Sequence, residues 1–595
     1  MRHLTTSEIE RLESNGCRCR DWSRVTLGND SCFDPDNYAE TNFSGDITLG
    51  IHELHGPDVI PPVYRASLHD CELGHNVYVQ NVHLLAGYTV GDNTRILNCG
   101  TIDGSGWDKG RIPVNVLDET GSRSLNIFPG LTAQTAKLAV DDDDIRMCIN
   151  MLPSGLEGTP RPFIGKGAEI TGASLISRSI IGNYSRIGIN AIVEESITEA
   201  GSIVDKGSQI ANCFVGQNVT LSNFCAQHSL FFANSHLCNG EAASVFAGPF
   251  TVSEHKSTLL IGAEIMMFNA GSGTNQSNHL YKLGPIHYGS MGRGSKCASD
   301  SYIMWPARIG DFTMVSGRHY SHPDTRIFPF SYLIGDTDGQ SRLLPAENLC
   351  KCGTARDIAK WPARDRREKD GRLDIIDYEA LNPHTIAKIE QALVRIETAL
   401  HSGSFDPADD CQMYGVKISR RSMLKAKELY TNALMRYFGN RLLLALQHNE
   451  HPSRAYEADE EWHDLAGMIM PGRILDRLKD CVLSGKFKSV RELTEAIAGT
   501  YPEIEESEQA FSLDRFPTVC CEKYGIAGNP LNVGQIIAAY IKAEEEYLAL
   551  VLADAAKEAQ MAGRPALAEN DPTLDALKKR LADLRTRAAA LSDRK

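Results

Sequence analysis

Aliphatic residues recur about every six positions through much of the first part of this chain, and many are followed by glycine. A period of six fits neither an α-helix, which repeats every 3.6 residues, nor a flat strand, which repeats every two. It fits a chain that turns a corner after each short strand, with the aliphatic side chain pointing inward. The aliphatic–glycine doublets begin at Leu73, Val90, Ile164, Ile181, Ile187, Val215, Ile261, Ile309 and Ile334.

This rhythm divides the chain into segments. Residues 57–102 carry it and are interpreted as the first coils of a parallel β-helix. Residues 103–160 break it and include four consecutive acids, Asp141 to Asp144, so we expect an inserted subdomain with a solvated acidic loop. The rhythm returns over residues 161–345, which form the main β-helix.

The flanking segments have other patterns. Residues 1–56 begin with a capped apolar pattern over 6–12 that predicts a short helix, followed by an extended stretch. Residues 346–372 are rich in charge and predict a linker. Residues 373–595 place apolar side chains at steps of three and four, which predicts an α-helical domain. The predicted fold class is therefore mainly β, then α.

The composition and charge of the chain exclude several classes of partner. The chain has 595 residues and a net charge of −15, and no basic stripe, which argues against a nucleic-acid partner. The N-terminus lacks the apolar core of a signal peptide and no stretch is long enough to span a bilayer, so we expect a cytoplasmic protein without a membrane partner. The 16 cysteines are irregularly spaced and are expected to be reduced and structural.

The doublets, usually with a small or β-branched residue three places after the glycine, resemble the hexapeptide-repeat transferases. That resemblance implies a left-handed parallel β-helix and a homotrimer with sites at the seams between helices. The whole chain, particularly the segments 275–279 and 316–324, also looks like an uncharacterised bacterial family of large hexapeptide proteins labelled sugar-nucleotidyltransferase-like.

A local similarity is narrower. The segment His279-Leu-Tyr-Lys-Leu-Gly284 looks like part of the acetyltransferase half of the bifunctional glucosamine-1-phosphate acetyltransferase/uridyltransferase. By that match His279 is the acetyl-transfer base. The tyrosine is displaced by one place, with Lys282 where it would stand, so its sugar-phosphate contact is not carried over. Residues 1–56 contain no Gly-rich, basic phosphate loop, which argues against nucleotidyl transfer.

Histidines crowd the stretch in which the repeat weakens: His228, His236, His255, His279, His287, His319 and His322. Acyl transfer from a thioester needs a base for the attacking hydroxyl or amine, and a neutral imidazole suits that role near pH 7. We predict His279 as the base and His319 as the second choice. The predicted substrate-binding residues, which could orient an acceptor or bind its phosphate or carboxylate, are Asn275, Asn278, Tyr281, Lys282, His287, Arg293, Arg318 and His322.

The sequence-based prediction is a CoA-dependent acyltransferase that acts on a sugar, sugar phosphate or nucleotide sugar, with acyl-CoA as donor substrate and no tightly bound cofactor. Two alternatives stay open: a non-catalytic or nucleotidyltransferase-related protein that binds a sugar nucleotide or phosphosugar, and an oligomeric scaffold. Some trimeric hexapeptide proteins hold zinc with three histidines, but the spacing of His319 and His322 does not match that pattern, so no metal is predicted.

Overall fold

The computed structural model describes residues 2–28, 33–52, 60–108, 111–277, 288–336, 339–403, 405–448, 460–524, 533–564 and 570–592, with side chains left undescribed at 448 and over 516–524 and 591–592. Five of the predicted site residues, Asn278, His279, Tyr281, Lys282 and His287, lie outside these ranges. Their predicted roles stay predictions.

Three ladders of short strands dominate the first 335 residues, and the chain visits them in turn. Ladder A contains Arg2–His3, Val25–Leu27, Ile47–Leu49, Glu72–Leu73, Thr89–Val90, Phe163–Ile164, Ile180–Ile181, Ile197–Thr198, Phe214–Val215, Leu230–Phe231, Phe246–Ala247, Ala263–Ile265, Gly289–Met291 and Arg308–Ile309. Apart from Arg2–His3, which is antiparallel to its neighbour, these strands pair in parallel.

Ladders B and C share the long strands Val63–His69 and Tyr78–Ala86. Ladder B also contains Tyr38–Ala39, Arg95–Leu97, Glu169–Thr171, Arg186–Ile187, Ile203–Asp205, Thr220–Ser222, His236–Cys238, Val252–Ser253, Asn269–Ala270, Lys296–Cys297, Met314–Ser316 and Tyr332–Gly335. Ladder C also contains Arg18–Cys19, Asn42–Ser44, Thr101–Asp103, Leu175–Ser177, Ile192–Glu194, Gln209–Ala211, Cys225–Gln227, Glu241–Ala243, Leu259–Ile261, Asn275–Ser277, Tyr302–Met304 and Arg318–His319.

The repeated aliphatic residues form the buried interior of these ladders. Ile164 pairs with Ile181 in ladder A, and Ile187 pairs with Val204 in ladder B. Ile164, Ile181, Ile187 and Ile309 are at most 1% exposed. The prediction that they point inward is confirmed, because branched side chains stacked rung upon rung exclude water from the space between the ladders.

Strand pairing begins nearer the N-terminus than the rhythm indicated. Within residues 1–56, the extended stretch contributes rungs such as Val25–Leu27 and Ile47–Leu49, which pair with each other in parallel. Short 3-10 turns at Trp22–Arg24 and Pro35–Asn37 separate these rungs. Because these turns replace the usual aliphatic–glycine corner, the six-residue spacing is lost while the ladder pairing continues.

Residues 103–160 leave the ladders and return to them. Pairing continues across the excursion, since Val90 pairs directly with Ile164. The excursion contains the hairpin Ile112–Val114 and Leu125–Ile127 and two helices. The expectation of an acidic loop at residues 141–144 is wrong: Asp141 ends the first helix, and the Asp142 side chain caps the second by accepting from the amides of Asp144 and Ile145.

The helices follow the ladders except for the first three. They are α1 Thr6–Ser14, α2 Ala133–Asp141, α3 Asp143–Met151, α4 Cys352–Ala363, α5 Pro383–Ser402, α6 Arg420–His448, α7 Gly472–Leu483, α8 Val490–Ala498, α9 Tyr501–Tyr524, α10 Val533–Met561 and α11 Pro572–Ser592. The short N-terminal helix is confirmed in α1, and the apolar stripe predicted over 386–396 is the buried face of α5.

Strands also occur after the ladders. Ser341–Leu344 pairs antiparallel with Tyr332–Gly335 and parallel with Val416–Ser419, which forms a hairpin with Asp410–Met413. Trp462–Leu465 and Met468–Pro471 form a further hairpin, here called the 462–471 hairpin. The region predicted as helical is thus a mixture of helices and hairpins, because alternating apolar residues over four positions are too short to predict a strand with certainty.

The charged segment predicted as a linker packs on the ladders. It contains α4 and the pair Arg367–Asp365, whose side chains are almost fully buried. Asp365 also accepts a hydrogen bond from the Asn234 side-chain amide at 2.9 Å. Charged residues can be buried in this way when they satisfy one another, which a charge count along the sequence does not reveal.

Candidate functional site

His319, the second-choice base, is a buried residue of ladder C. Its Nδ1 lies 2.9 Å from the Ser341 hydroxyl and its Nε2 lies 3.2 Å from the Ser316 carbonyl oxygen. Burial lowers the pKa of His319 to about 4, so the ring is neutral near pH 7. A neutral ring that donates from Nε2 to the carbonyl and accepts at Nδ1 has no nitrogen left for a substrate proton.

Three other predicted residues lie on or beside ladder C. Asn275 and Arg318 are the two register neighbours of Tyr302, and the Asn275 side chain accepts from the Ser277 hydroxyl at 2.9 Å. Arg318 is exposed, and the His322 Nδ1 lies 3.1 Å from the Met304 carbonyl oxygen. These residues lie along a strip of ladder C, and none of the three lines the cavity described next.

Arg293 lies elsewhere, at the corner that follows the ladder A strand Gly289–Met291. It lines a cavity of about 220 Å³ between the outer face of ladder A, helix α2, helix α5 and the 462–471 hairpin. We call this space the first cavity. Its charged and titratable lining is Lys137, Asp141, Glu264, Arg293, Asp311, Arg326, His384, Lys388, His463 and Asp464.

The Arg293 side chain is buried and only partly satisfied. Its Nη2 donates to the Asp377 carbonyl oxygen, and its Nη1 lies 3.4 Å from Asp464 Oδ2. Within the described residues, neither Nε nor Nη1 has a hydrogen-bond partner. Since guanidinium groups that are removed from water are normally fully hydrogen-bonded, Arg293 has the capacity to bind an acceptor oxygen in the cavity.

Asp311 fixes one wall of the first cavity. Its Oδ2 lies 2.9 Å from Lys388 Nζ and 3.3 Å from His384 Nε2, and its Oδ1 accepts from the Arg293 backbone amide at 3.1 Å. Burial favours the protonated acid, but the charges of Lys388 and His384 outweigh it and hold the pKa of Asp311 well below its usual range. Asp311 is therefore a permanent anion that anchors α5 to the ladders.

Gly292 is needed for this anchor. A Cβ added there would lie 2.2 Å from Asp311 Oδ1 and 2.6 Å from its backbone nitrogen. The close approach of the two corners is what allows the Arg293 amide to reach the carboxylate.

Lys137 closes the opposite wall. Its ammonium group lies 2.8 Å from Glu264 and also binds Asp141, four residues along α2. Burial opposes the charged form, but Glu264 and Asp141 raise the pKa of Lys137 above its ordinary value. Glu264 belongs to ladder A, so this ion pair ties the inserted helix to the ladders.

His463 is the imidazole in the first cavity with the fewest contacts. It lies on the 462–471 hairpin, with a side chain 40% exposed. Burial and the neighbouring His384 lower the pKa of His463, so the ring is neutral near pH 7. His384, by contrast, faces the Trp462 carbonyl oxygen with Nδ1 at 2.7 Å and Asp311 with Nε2, so both its nitrogens are engaged.

Together these residues make a mixed site: a buried arginine with two donors that have no hydrogen-bond partner among the described residues, a neutral imidazole and several fixed ion pairs. Such a lining suits a small polar molecule that carries an oxyanion and hydroxyl groups. Over the part of the chain that the structure describes, no group of three or more His, Cys, Asp or Glu side chains could hold a metal ion. Nor is any helix in those ranges long and apolar enough to cross a membrane.

Sequence reasoning identified Arg293 but missed its neighbours. Lys137 and Asp141 were assigned to an insertion, and His384, Lys388 and His463 to a helical domain without a role. The charged residues of α5 carried one signal: His384 and Lys388 are four apart and therefore on one helix face. No spacing pattern connects either of them to Asp311.

Two family profiles match different parts of the chain. The profile of the family described as Domain of unknown function (DUF4954) matches residues 1–152 and 161–400. The chain belongs to this family. A second profile, Domain of unknown function (DUF6819), matches residues 447–569. No curated protein matches the chain.

The first cavity lies where the two matched regions meet. Arg293, Asp311 and Lys388 come from the DUF4954 region, while His463 and Asp464 come from the DUF6819 region. The DUF4954 part supplies the ladders and the buried arginine, and the second part supplies the neutral imidazole. A cavity assembled from both regions is complete only when both are present.

Proposed function

We propose that this protein transfers an acyl group from a CoA-type thioester to a sugar or phosphosugar held in the first cavity. The observation that carries the proposal is the buried Arg293, whose Nε and Nη1 have no hydrogen-bond partner among the described residues. A phosphate or carboxylate on the acceptor would accept from these groups, and charge-assisted hydrogen bonds of this kind are strong.

His463 is the proposed base. The acceptor hydroxyl or amine attacks the thioester carbonyl, the new C–O or C–N bond forms, and the C–S bond breaks. His463 takes the proton of the attacking group and passes it to the departing CoA thiolate, so protons balance over the cycle. The lowered pKa of His463 supports this role, because the ring must be unprotonated to begin.

The wider architecture belongs to the same proposal. Three parallel ladders that are visited in turn, with aliphatic residues inside, support a left-handed parallel β-helix of hexapeptide coils. A homotrimer in the cytoplasm, with acyl-CoA entering along a seam, is proposed from the resemblance to hexapeptide transferases. The first cavity, at about 220 Å³, suits the acceptor and the reacting thioester end, while the remainder of the CoA lies outside it.

The test uses the full chain with acetyl-CoA and a panel of hexose and aminohexose phosphates. We expect release of free thiol only when a phosphosugar is present. Arg293→Met should raise the KM for the phosphosugar at least tenfold, since one charged hydrogen bond contributes about 1.5–3 kcal/mol. His463→Gln should lower kcat about 100-fold with KM little changed.

Matched variants locate the site. Arg318→Met removes an exposed arginine of the ladder C strip, and His401→Gln removes an exposed imidazole at the end of α5; both should leave turnover unchanged. If Arg318→Met abolishes turnover and Arg293→Met does not, the first cavity is not the acceptor site. His279→Ala tests the base predicted by resemblance: loss of kcat there, with His463→Gln unaffected, would transfer the base role to His279.

The binding alternative has a distinct outcome. Saturable binding of a phosphosugar or sugar nucleotide without thiol release, weakened by Arg293→Met, would show a non-catalytic binding protein. The ion pairs within the cavity favour this second function. Charges that are fixed by their own partners stabilise a bound ligand and a transition state about equally, and such uniform binding does not accelerate a reaction. If the protein shows neither phosphosugar binding nor turnover, the oligomeric scaffold is the remaining alternative.

A further inference from the structure

A second cavity lies among the helices, apart from the first. It has a volume of about 360 Å³ and is bounded by α4, α6, α10, α11 and the residues that precede α5. Its walls are largely apolar, with Ile358, Pro362, Leu381 and Leu577 among them. This volume is within the range of about 300–1,000 Å³ that is typical of small-molecule sites.

One charged cluster interrupts these apolar walls. Glu544 of α10 lies between two arginines, with Oε2 at 3.3 Å from Arg436 Nε and Oε1 at 3.4 Å from Arg580 Nη2. All three side chains line the second cavity. Two guanidinium groups facing one carboxylate leave a net positive charge in a mainly apolar space.

Arg436 is the unsatisfied member of the cluster. It is 8% exposed, and its guanidinium carbon lies 3.4 Å from the centre of the Tyr547 ring. That stacking fixes the plane of the guanidinium group. Considering the described residues alone, its Nε has no hydrogen-bond partner, although Glu544 is near. A buried donor held in a fixed plane without an acceptor is costly unless a ligand supplies one.

Two other polar side chains on this cavity, Tyr437 and Glu379, are engaged elsewhere. The Tyr437 hydroxyl lies 3.1 Å from Glu508 and 3.2 Å from Ser512, and Glu379 binds Arg441 at 2.9 Å. Arg436 and Arg580 outnumber Glu544 in the cluster and therefore leave a net positive charge for recognition of an anion. The apolar walls contribute affinity only for a ligand with a hydrocarbon body.

We propose that the second cavity binds an organic carboxylate with an apolar body, its carboxylate accepting from Arg436 and Arg580 and its hydrocarbon part lying against α4 and α11. A planar carboxylate matches the planar guanidinium edge, and a hydrocarbon body fills the walls that water would wet poorly. The site is independent of the proposed acyl transfer, since none of its residues lines the first cavity.

The test is isothermal titration calorimetry on the full chain with two probes, decanoate below its micelle concentration and 2-naphthoate. We expect one of them to bind at a ratio of one per chain. Decanol, 2-naphthol and inorganic phosphate are the matched controls, each lacking either the charge or the apolar body, and should bind at least tenfold more weakly. Failure of both carboxylates to bind would overturn the proposal, as would equal binding of the uncharged alcohols.

Substitutions at the residues that line the second cavity test whether the probe binds there. Arg436→Met should weaken binding at least tenfold, and Glu544→Gln should tighten it several-fold because the competing carboxylate is removed. Ala576→Phe, at an exposed lining position of α11 one turn before Arg580, should block the cavity while leaving Arg436 and Glu544 in place. Ala582→Phe makes the same change at an exposed position of α11 that does not line the cavity, and should bind normally. Unaltered binding in Ala576→Phe would place the probe elsewhere.

Discussion

The interior of the ladders and the layer that joins them to the C-terminal half are both buried, but they are stabilised by different means. Inside the ladders, Ile164, Ile181 and Ile187 are at most 1% exposed and lie among other aliphatic residues. In the joining layer, here called the polar contact layer, the buried groups include ion pairs such as Asp311–Lys388 and Arg293–Asp464. Asp374 extends this layer by accepting from the amides of Ala133 and Ala233.

The two regions differ in how specific a neighbour each buried residue requires. A ladder residue meets chemically similar neighbours one rung away, so its contribution depends on volume and hydrophobic transfer. A residue of the polar contact layer needs a particular partner, because an unpaired buried charge costs several kcal/mol. Burial of Asp374 raises the pKa of its carboxyl even though two backbone amides partly compensate.

The largest effect is expected inside the ladders. Ile187→Ala should lower the free energy of unfolding by about 4 kcal/mol, because it removes buried methyl groups and leaves a cavity that rigid ladders cannot close. Ile187 is fully buried. Urea unfolding followed by tryptophan fluorescence measures the change.

Ile189→Ala is its matched control. It is the same substitution two residues along the chain, at a side chain that is 61% exposed. A change within about 0.5 kcal/mol is expected, as for other surface positions. Equal destabilisation by the two variants would contradict a dry interior at Ile187.

The next effect concerns the polar contact layer. Asp311→Asn should destabilise the protein by about 3 kcal/mol at pH 7, because Lys388 and His384 lose their buried counter-ion. Since the folded-state pKa of Asp311 is lowered, its stabilisation is complete above the ordinary value of 3.8 and is lost as the pH falls below it. The two proteins should therefore converge in acid.

An exposed pair provides the comparison for this variant. Asp324 binds Arg326 at 2.6 Å, and their side chains are 41% and 58% exposed. Asp324→Asn should cost less than about 1 kcal/mol after solvent screening. If Asp311→Asn has no larger effect than Asp324→Asn at neutral pH, the anchor between α5 and the ladders is not energetically important.

The smallest effect is expected at the start of α5. The Asn382 side chain accepts from the Thr385 amide at 3.0 Å, and Pro383 follows it. Asn382→Ala should cost about 1 kcal/mol, the usual loss for an N-cap. Hydrogen exchange in the first turn of α5 would show faster opening, whereas Asn382→Ser, which keeps a capping oxygen, should be close to wild type.

Part of the candidate site could be predicted and part could not. Arg293 is predicted from the sequence as a residue that could bind a phosphate or carboxylate, and it lines the first cavity in the structure. His319 stood out for its neighbours in sequence, yet it is a buried residue whose nitrogens bind Ser341 and Ser316. The residue type and its neighbours in the sequence do not distinguish these cases, because each depends on which side chains the fold places around the residue.

The spacing of most rungs and the residues of the dry interior follow from the sequence alone, because they depend on contacts that recur at a fixed, short separation along the chain. Which polar and charged side chains contact one another depends on the tertiary structure. Gln134, for example, donates to the carbonyl oxygens of Ile375 and Ala466, which no local period connects to it. Such pairings depend on how α2, α5 and the 462–471 hairpin pack on ladder A, and the first cavity takes its shape there.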